Sequence, residues 1–128
     1  MHRNLQLLIN IPQQMVWKKL KIGRVMIYSP ETNWLYNHHA SITHFKNSFV
    51  AIWSDGMKDE DQPGQRVLIS ISNNFLHWSQ PKPLAVPGHY KEDTLNVLTA
   101  AGFHQFNDAL VAYFYLYQPT ANISIKIM

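Results

Sequence analysis

From Arg24 onward the apolar positions come in short runs of four to eight residues, rich in β-branched and aromatic side chains and bounded by Gly, Pro, Asn or Asp. That pattern predicts strands over 25–28, 40–45, 49–54, 66–72, 99–105, 110–117 and 123–127. No stretch after residue 24 keeps a helical period, and only 13–21 could form a short helix. Lys46-Asn47-Ser48 and Phe106-Asn107-Asp108 each separate two predicted strands by three residues, a hairpin spacing filled by residues that tolerate positive φ.

Two similar hairpins suggest a repeat. Sliding the chain on itself by 61 residues sets SFVAIWS (48–54) over ALVAYFY (109–115), Asn47 over Asp108, Ala40 over Ala101 and Ala51 over Ala112. A period of this size with about four short strands per unit is that of a β-propeller blade. The first unit has strands at 40–45, 49–54 and 66–72 and a fourth around 77–79; the second has 99–105 and 110–117 and stops inside its third strand. In the turn SNNFLHWSQP, Asn74 can cap by bonding backbone two residues on, and Trp78 can fold back over the sheet.

The segment Ser72-Asn73-Asn74-Phe75-Leu76-His77-Trp78 resembles the Asp-box, S-x-D-G-x-x-W, of the sialidase (neuraminidase) superfamily of BNR-repeat β-propellers, with Asn for the Asp and Phe for the Gly. YNHHASITHFKNSFVAIWSDG is similar to that family's opening blade, DQPGQRVLISIS to its acidic loop and third strand, and VLTAAGFHQFNDALVAYFYLY to the start of the next blade. The resemblance spans about 23–117. It implies an all-β fold of sialidase-like propeller blades, one complete four-stranded blade and part of a second, over 23–128, preceded by a loosely ordered N-terminal segment over 1–22. It also looks like an N-terminal fragment, because ANISIKIM begins a strand and stops before a second box-like turn.

Composition narrows the classes. The chain has 128 residues, 46% hydrophobic and 15% charged, with 4 Trp and 6 Tyr, which suits one folded domain rather than disorder. The formal charge of +3 comes in part from Lys18, Lys19, Lys21 and Arg24, and no aromatic-and-basic stripe recurs, so nucleic acid is not an expected partner. The absence of cysteine excludes disulfides and thiolate metal sites. The apolar run from Leu5 to Ile11 is too short for a membrane span and lacks a cleavage pattern, so neither membrane nor export is expected and the default location is cytoplasmic. No cofactor and no metal are assigned. Bare strand edges of an incomplete propeller predict self-association.

The family resemblance directs attention to the loop between the second and third strands, where sialidases keep an aspartate general acid, and here that loop holds Asp55, Asp59, Glu60 and Asp61, followed by Arg66. Glycoside hydrolysis needs a carboxyl to protonate the leaving oxygen, and sialidases use a tyrosine as nucleophile. By resemblance Asp61 is the best match for the acid, with Asp59 and Asp55 behind it; the plain alternative is a solvated acidic loop. The family grips the substrate carboxylate with arginines. Arg66 is one candidate, whereas the family's Tyr-Arg-x-Pro stretch is here Tyr36-Asn37-His38-His39, without arginine. His38 and His39 could contact a sugar or anion instead, although strand alternation sends neighbours to opposite faces. Trp53 could stack on a sugar, or pack within the blade as its counterpart Phe114 would. Tyr113, Tyr115 and Tyr117 fall earlier than the family's nucleophile.

The resemblance thus implies an exo-α-sialidase type glycoside hydrolase acting on a glycan or sialoside, incomplete and inactive by itself. The alternative is a non-catalytic carbohydrate-binding or structural BNR-repeat module. A furanosidase-type propeller is a third reading, but its Asn-Asp-Pro motif is missing from the N-terminal part.

Overall fold

The computed structural model describes residues 21–119 and 123–127, and the helix considered for 13–21 lies almost wholly outside them. Every regular element among the described residues is a strand. β1 (Tyr36–Phe45), β2 (Ser48–Gly56), β3 (Arg66–Ser72) and β4 (Lys82–Ala85) form one antiparallel sheet in the order β1-β2-β3-β4. This is the expected four-stranded meander, with one correction: its fourth strand lies at 82–85, not 77–79. Residues 73–78 are consumed by the turn, in which Asn74 Oδ1 accepts from the backbone N–H of Leu76 (3.0 Å) and His77 (2.9 Å) and Trp78 Nε1 donates to the Phe75 carbonyl at 2.9 Å. Ser79 touches the sheet through its N–H to the Ile71 carbonyl at 2.8 Å, but the ladder begins only where Lys82 faces Ile69.

The strand predicted at 25–28 is also corrected. Residues 21–30 carry no strand, and the apolar side chains of Ile27 and Tyr28 lie over Trp53 instead. Burial on one side gives such a segment a strand-like composition without giving it a partner to pair with.

A two-stranded ribbon, β5 (His89–Lys91) with β6 (Thr94–Leu95), links to a second sheet of β7 (Val97–Phe106), β8 (Ala109–Tyr117) and β9 (Ile123–Ile127) in that order. The ribbon has no counterpart among the expected strands, since elements of three and two residues show no alternation to read. Both hairpin loops hold two residues rather than three, because Phe45 pairs with Ser48 and Phe106 with Ala109. Their first positions, Lys46 (φ 53°) and Asn107 (φ 52°), take the left-handed backbone that such tight turns require.

The repeat is visible in the pairing itself. A shift of 61 carries Tyr36–Phe45 onto Val97–Phe106 and Ser48–Gly56 onto Ala109–Tyr117. It also carries the β1 irregularity between His38 and Ser41 onto the β7 irregularity beside Gly102. Positive φ falls on His39 (52°) in the first bulge and on Gly102 (127°) in the second.

β2 is sheltered on both faces, which accounts for its continuous burial from Val50 to Gly56. On one face Ile52 joins Val67, Leu98, Ala100 and Phe114 in the core between the two sheets. On the other, Ala51 and Trp53 join Leu68 beneath Ile27, Tyr28 and Trp78. The sheets are further tied by the Ala100 N–H, which donates to the buried Ser54 Oγ at 2.9 Å.

Candidate functional site

The start of β1, the end of β2, the loop 57–65 and the start of β7 meet at one end of the two sheets. Backbone bonds hold the loop there: Gly64 N–H to the Asn96 carbonyl (3.0 Å), Gln65 N–H to Gln62 (3.1 Å) and Leu98 N–H to Gln65 (3.0 Å). Gln65, 1% exposed, is the centre of the junction. Its Nε2 donates to the Leu98 carbonyl at 2.9 Å and to Thr99 Oγ1 at 3.0 Å, which fixes the amide orientation. Its Oε1 then faces His38 Nε2 at 2.9 Å and the Asp61 N–H at 3.1 Å. A buried amide is retained at low cost only when its donors and acceptors are met, as they are here.

His38 and His39 do not diverge as strand alternation predicts. The bulge, with His39 in left-handed backbone, brings their rings to centroids 4.2 Å apart. Both face Glu60, whose Oε1 lies 3.4 Å from His38 Nδ1 and 3.8 Å from His39 Nε2. His38 is largely buried, His39 and Glu60 about half exposed. His38 also borders a pocket of about 210 Å³ whose walls include Tyr28, Asn37 and Trp53. The Trp53 ring is 5% exposed and 5.5 Å from the Tyr28 ring, in the position of a packing residue at the pocket edge.

Asp61 sits at positive φ (56°), and its Oδ1 accepts from Thr99 Oγ1 at 3.1 Å and Gln65 Nε2 at 3.4 Å. With Thr99, Tyr115 and Tyr117 it lines a pocket of about 400 Å³. The Tyr117 hydroxyl is buried and makes no well-formed hydrogen bond, yet its pKa is driven far above the ordinary tyrosine value, first by burial and then by the Asp61 carboxylate beside it.

The other two loop aspartates are engaged differently. Asp55 is wholly buried and paired with Arg66, Nε to Oδ2 at 2.7 Å, while the Arg66 guanidinium lies 3.7 Å over the Trp34 ring. Burial raises the Asp55 pKa, and Arg66 opposes that rise without cancelling it. Asp59 is exposed, and its Oδ1 accepts the neighbouring Glu60 N–H at 2.8 Å. The structure therefore brings Asp61 and His38 onto Gln65, sets His39 beside His38, and pairs Asp55 with Arg66. Glu60 stands in the sequence only as one of the loop's acidic residues, and Gln65 carries no signal of its own. Thr99 has one in the 61-residue shift, which places it at the register position of His38, each facing its partner strand at Tyr115 and Ser54.

No protein-family profile matches the chain, and no curated protein matches it. Among solved structures the chain is similar to a protein titled "Sialidase", at 20% identity and a TM-score of 0.58, over 73% of this chain and 10% of that one. The fold is thus all-β and sialidase-like, and the chain spans about a tenth of the length of the structure it matches.

Proposed function

We propose that this chain is part of a sialidase-like glycoside hydrolase, contributing one complete β-propeller blade and part of the next, with Asp61 as the group that protonates the leaving glycosidic oxygen. The observation that carries the reading is the placement of the Asp61 carboxylate, anchored through Oδ1 to Thr99 and Gln65, at a pocket walled by Tyr115 and Tyr117. Anchoring one oxygen fixes the carboxyl so that Oδ2 would carry the proton, and aromatic walls suit the apolar face of a sugar ring. The sialidase-like fold supports the same reading, and the box-like turn, in which Asn74 Oδ1 accepts from the Leu76 and His77 N–H groups, agrees with that fold.

A second reading, a non-catalytic carbohydrate-binding module, is favoured by Arg66. Its guanidinium is already committed to Asp55 and stacked on Trp34, so it is poorly disposed to grip a substrate carboxylate.

Titration of the isotopically labelled chain with N-acetylneuraminic acid and with neutral methyl glycosides tests both readings. Shifts of the Asp61, Thr99 and Tyr117 amides are expected, without turnover of a fluorogenic sialoside by the chain alone. In a longer protein that contains this chain and cleaves glycosides, Asp61→Asn should lower kcat by about 10²–10⁴. Unchanged kcat with retained binding supports the module instead, and absence of any amide shift overturns both.

A further inference from the structure

We propose that His38, His39 and Glu60 form a site for a divalent transition-metal ion of the zinc class, an inference that stands apart from the glycosidase reading. The three side chains come from two segments, the bulged start of β1 and the loop after β2, and their ligand atoms all lie within 4.8 Å of one another. Around a zinc ion bound at about 2.0–2.1 Å, tetrahedral ligand atoms stand about 3.3 Å apart. Glu60 Oε1 already lies 3.4 Å from His38 Nδ1 and 3.8 Å from His39 Nε2, so small rotations of the half-exposed His39 and Glu60 complete the triangle.

The tautomer of His38 is set by its surroundings. Gln65 Nε2 is held by the Leu98 carbonyl and the Thr99 hydroxyl, so Gln65 presents its carbonyl oxygen to His38 Nε2. An acceptor there requires that Nε2 carry a proton, so the neutral ring keeps the lone pair of Nδ1 for a metal. That Nδ1 is buried, has no hydrogen-bond partner, and faces Glu60. A ligand imidazole whose other nitrogen donates to a fixed oxygen is the usual arrangement at protein metal sites, because the outer bond fixes the ring and raises ligand basicity.

The backbone supports the same reading. Bringing the rings of adjacent residues within 4.2 Å of each other needs the bulge, and β1 makes it by holding a histidine, not a glycine, at positive φ. Two imidazoles and one carboxylate, without thiolate, suit zinc and its neighbours rather than calcium or copper(I), and three protein ligands leave at least one position for water or an anionic ligand.

The test is titration of the full chain, stripped with chelator, by zinc in a calorimeter and by cobalt(II) in an absorption spectrometer. One equivalent should bind, and cobalt should give the visible bands of a low-coordinate nitrogen and oxygen site. Glu60→Gln and His39→Ala, both at partly exposed positions, should each weaken zinc at least about tenfold, and Gln65→Glu should change affinity by about 10–100-fold by altering the outer bond. Should His38→Ala fail to fold, the two exposed variants still decide the matter. Absence of one-to-one uptake, or uptake unaltered in both Glu60→Gln and His39→Ala, overturns the proposal.

Discussion

Asp55 and Arg66 face each other across the β2–β3 ladder, and the Arg66 Nε reaches the fully buried Asp55 carboxylate at 2.7 Å. Removing one partner of such a pair strands the other charge. Arg66→Met should cost about 3–5 kcal/mol in urea unfolding, and adding Asp55→Asn should restore much of that loss.

The same carboxyl sets a pH dependence opposite to that of most ion-paired aspartates. Its folded pKa is raised above 3.8, chiefly by burial, so the native state holds the proton more tightly than the unfolded chain does. Its contribution is complete below the ordinary value and is lost as pH rises through the folded one. Asp55→Asn should therefore flatten the decline of unfolding midpoint from 3.8 upward, measured as a series of denaturant curves.

Tyr117 should resist ionisation. Burial and the adjacent Asp61 carboxylate both favour its neutral form, so its stabilising contribution persists below the ordinary value of 10.0 and is lost only as pH rises through the folded value. Tyr117→Phe should leave the phenolate absorbance of the folded protein unchanged up to about pH 11, where an ordinary tyrosine is mostly ionised.

Gln65→Leu should be among the most damaging single changes. It keeps the bulk but orphans the Leu98 carbonyl, the Asp61 N–H and His38 Nε2. Each buried group left unmet costs about 1–3 kcal/mol, so a loss of about 3 kcal/mol or more is expected in urea unfolding. Loss of the His38 ring's fixed orientation should appear as averaging of its ring-proton resonances.

Local signals carried most of the fold. The two hairpins, the meander and the 61-residue repeat follow from apolar runs and turn residues that act within a few positions. Lys82-Pro83-Leu84-Ala85 could not be read as a strand, because neither charge nor proline marks a ladder edge in advance. The candidate site was legible only in part. Asp61 is legible only through the family resemblance, which points to an aspartate in this loop, and the convergence of His38 with His39 depends on a bulge that breaks the period of two. Gln65 is an ordinary polar residue until three partners distant in sequence, His38, Leu98 and Thr99, join Asp61 around it.

The matched bulges of β1 and β7 have a consequence for how the chain finds its fold. Because both hairpins share one register, β1 could zip onto β8, or β7 onto β2, with every irregularity still in place. Within one chain the correct choice is kinetic: a two-residue turn lets a hairpin close in about 1–10 μs, whereas the wrong strand must first be found across a far longer loop. Between two chains that advantage weakens as encounters grow frequent. Refolding at high concentration should therefore yield strand-exchanged dimers, with Lys46-Asn47 and Asn107-Asp108 the turns whose stiffness decides how many.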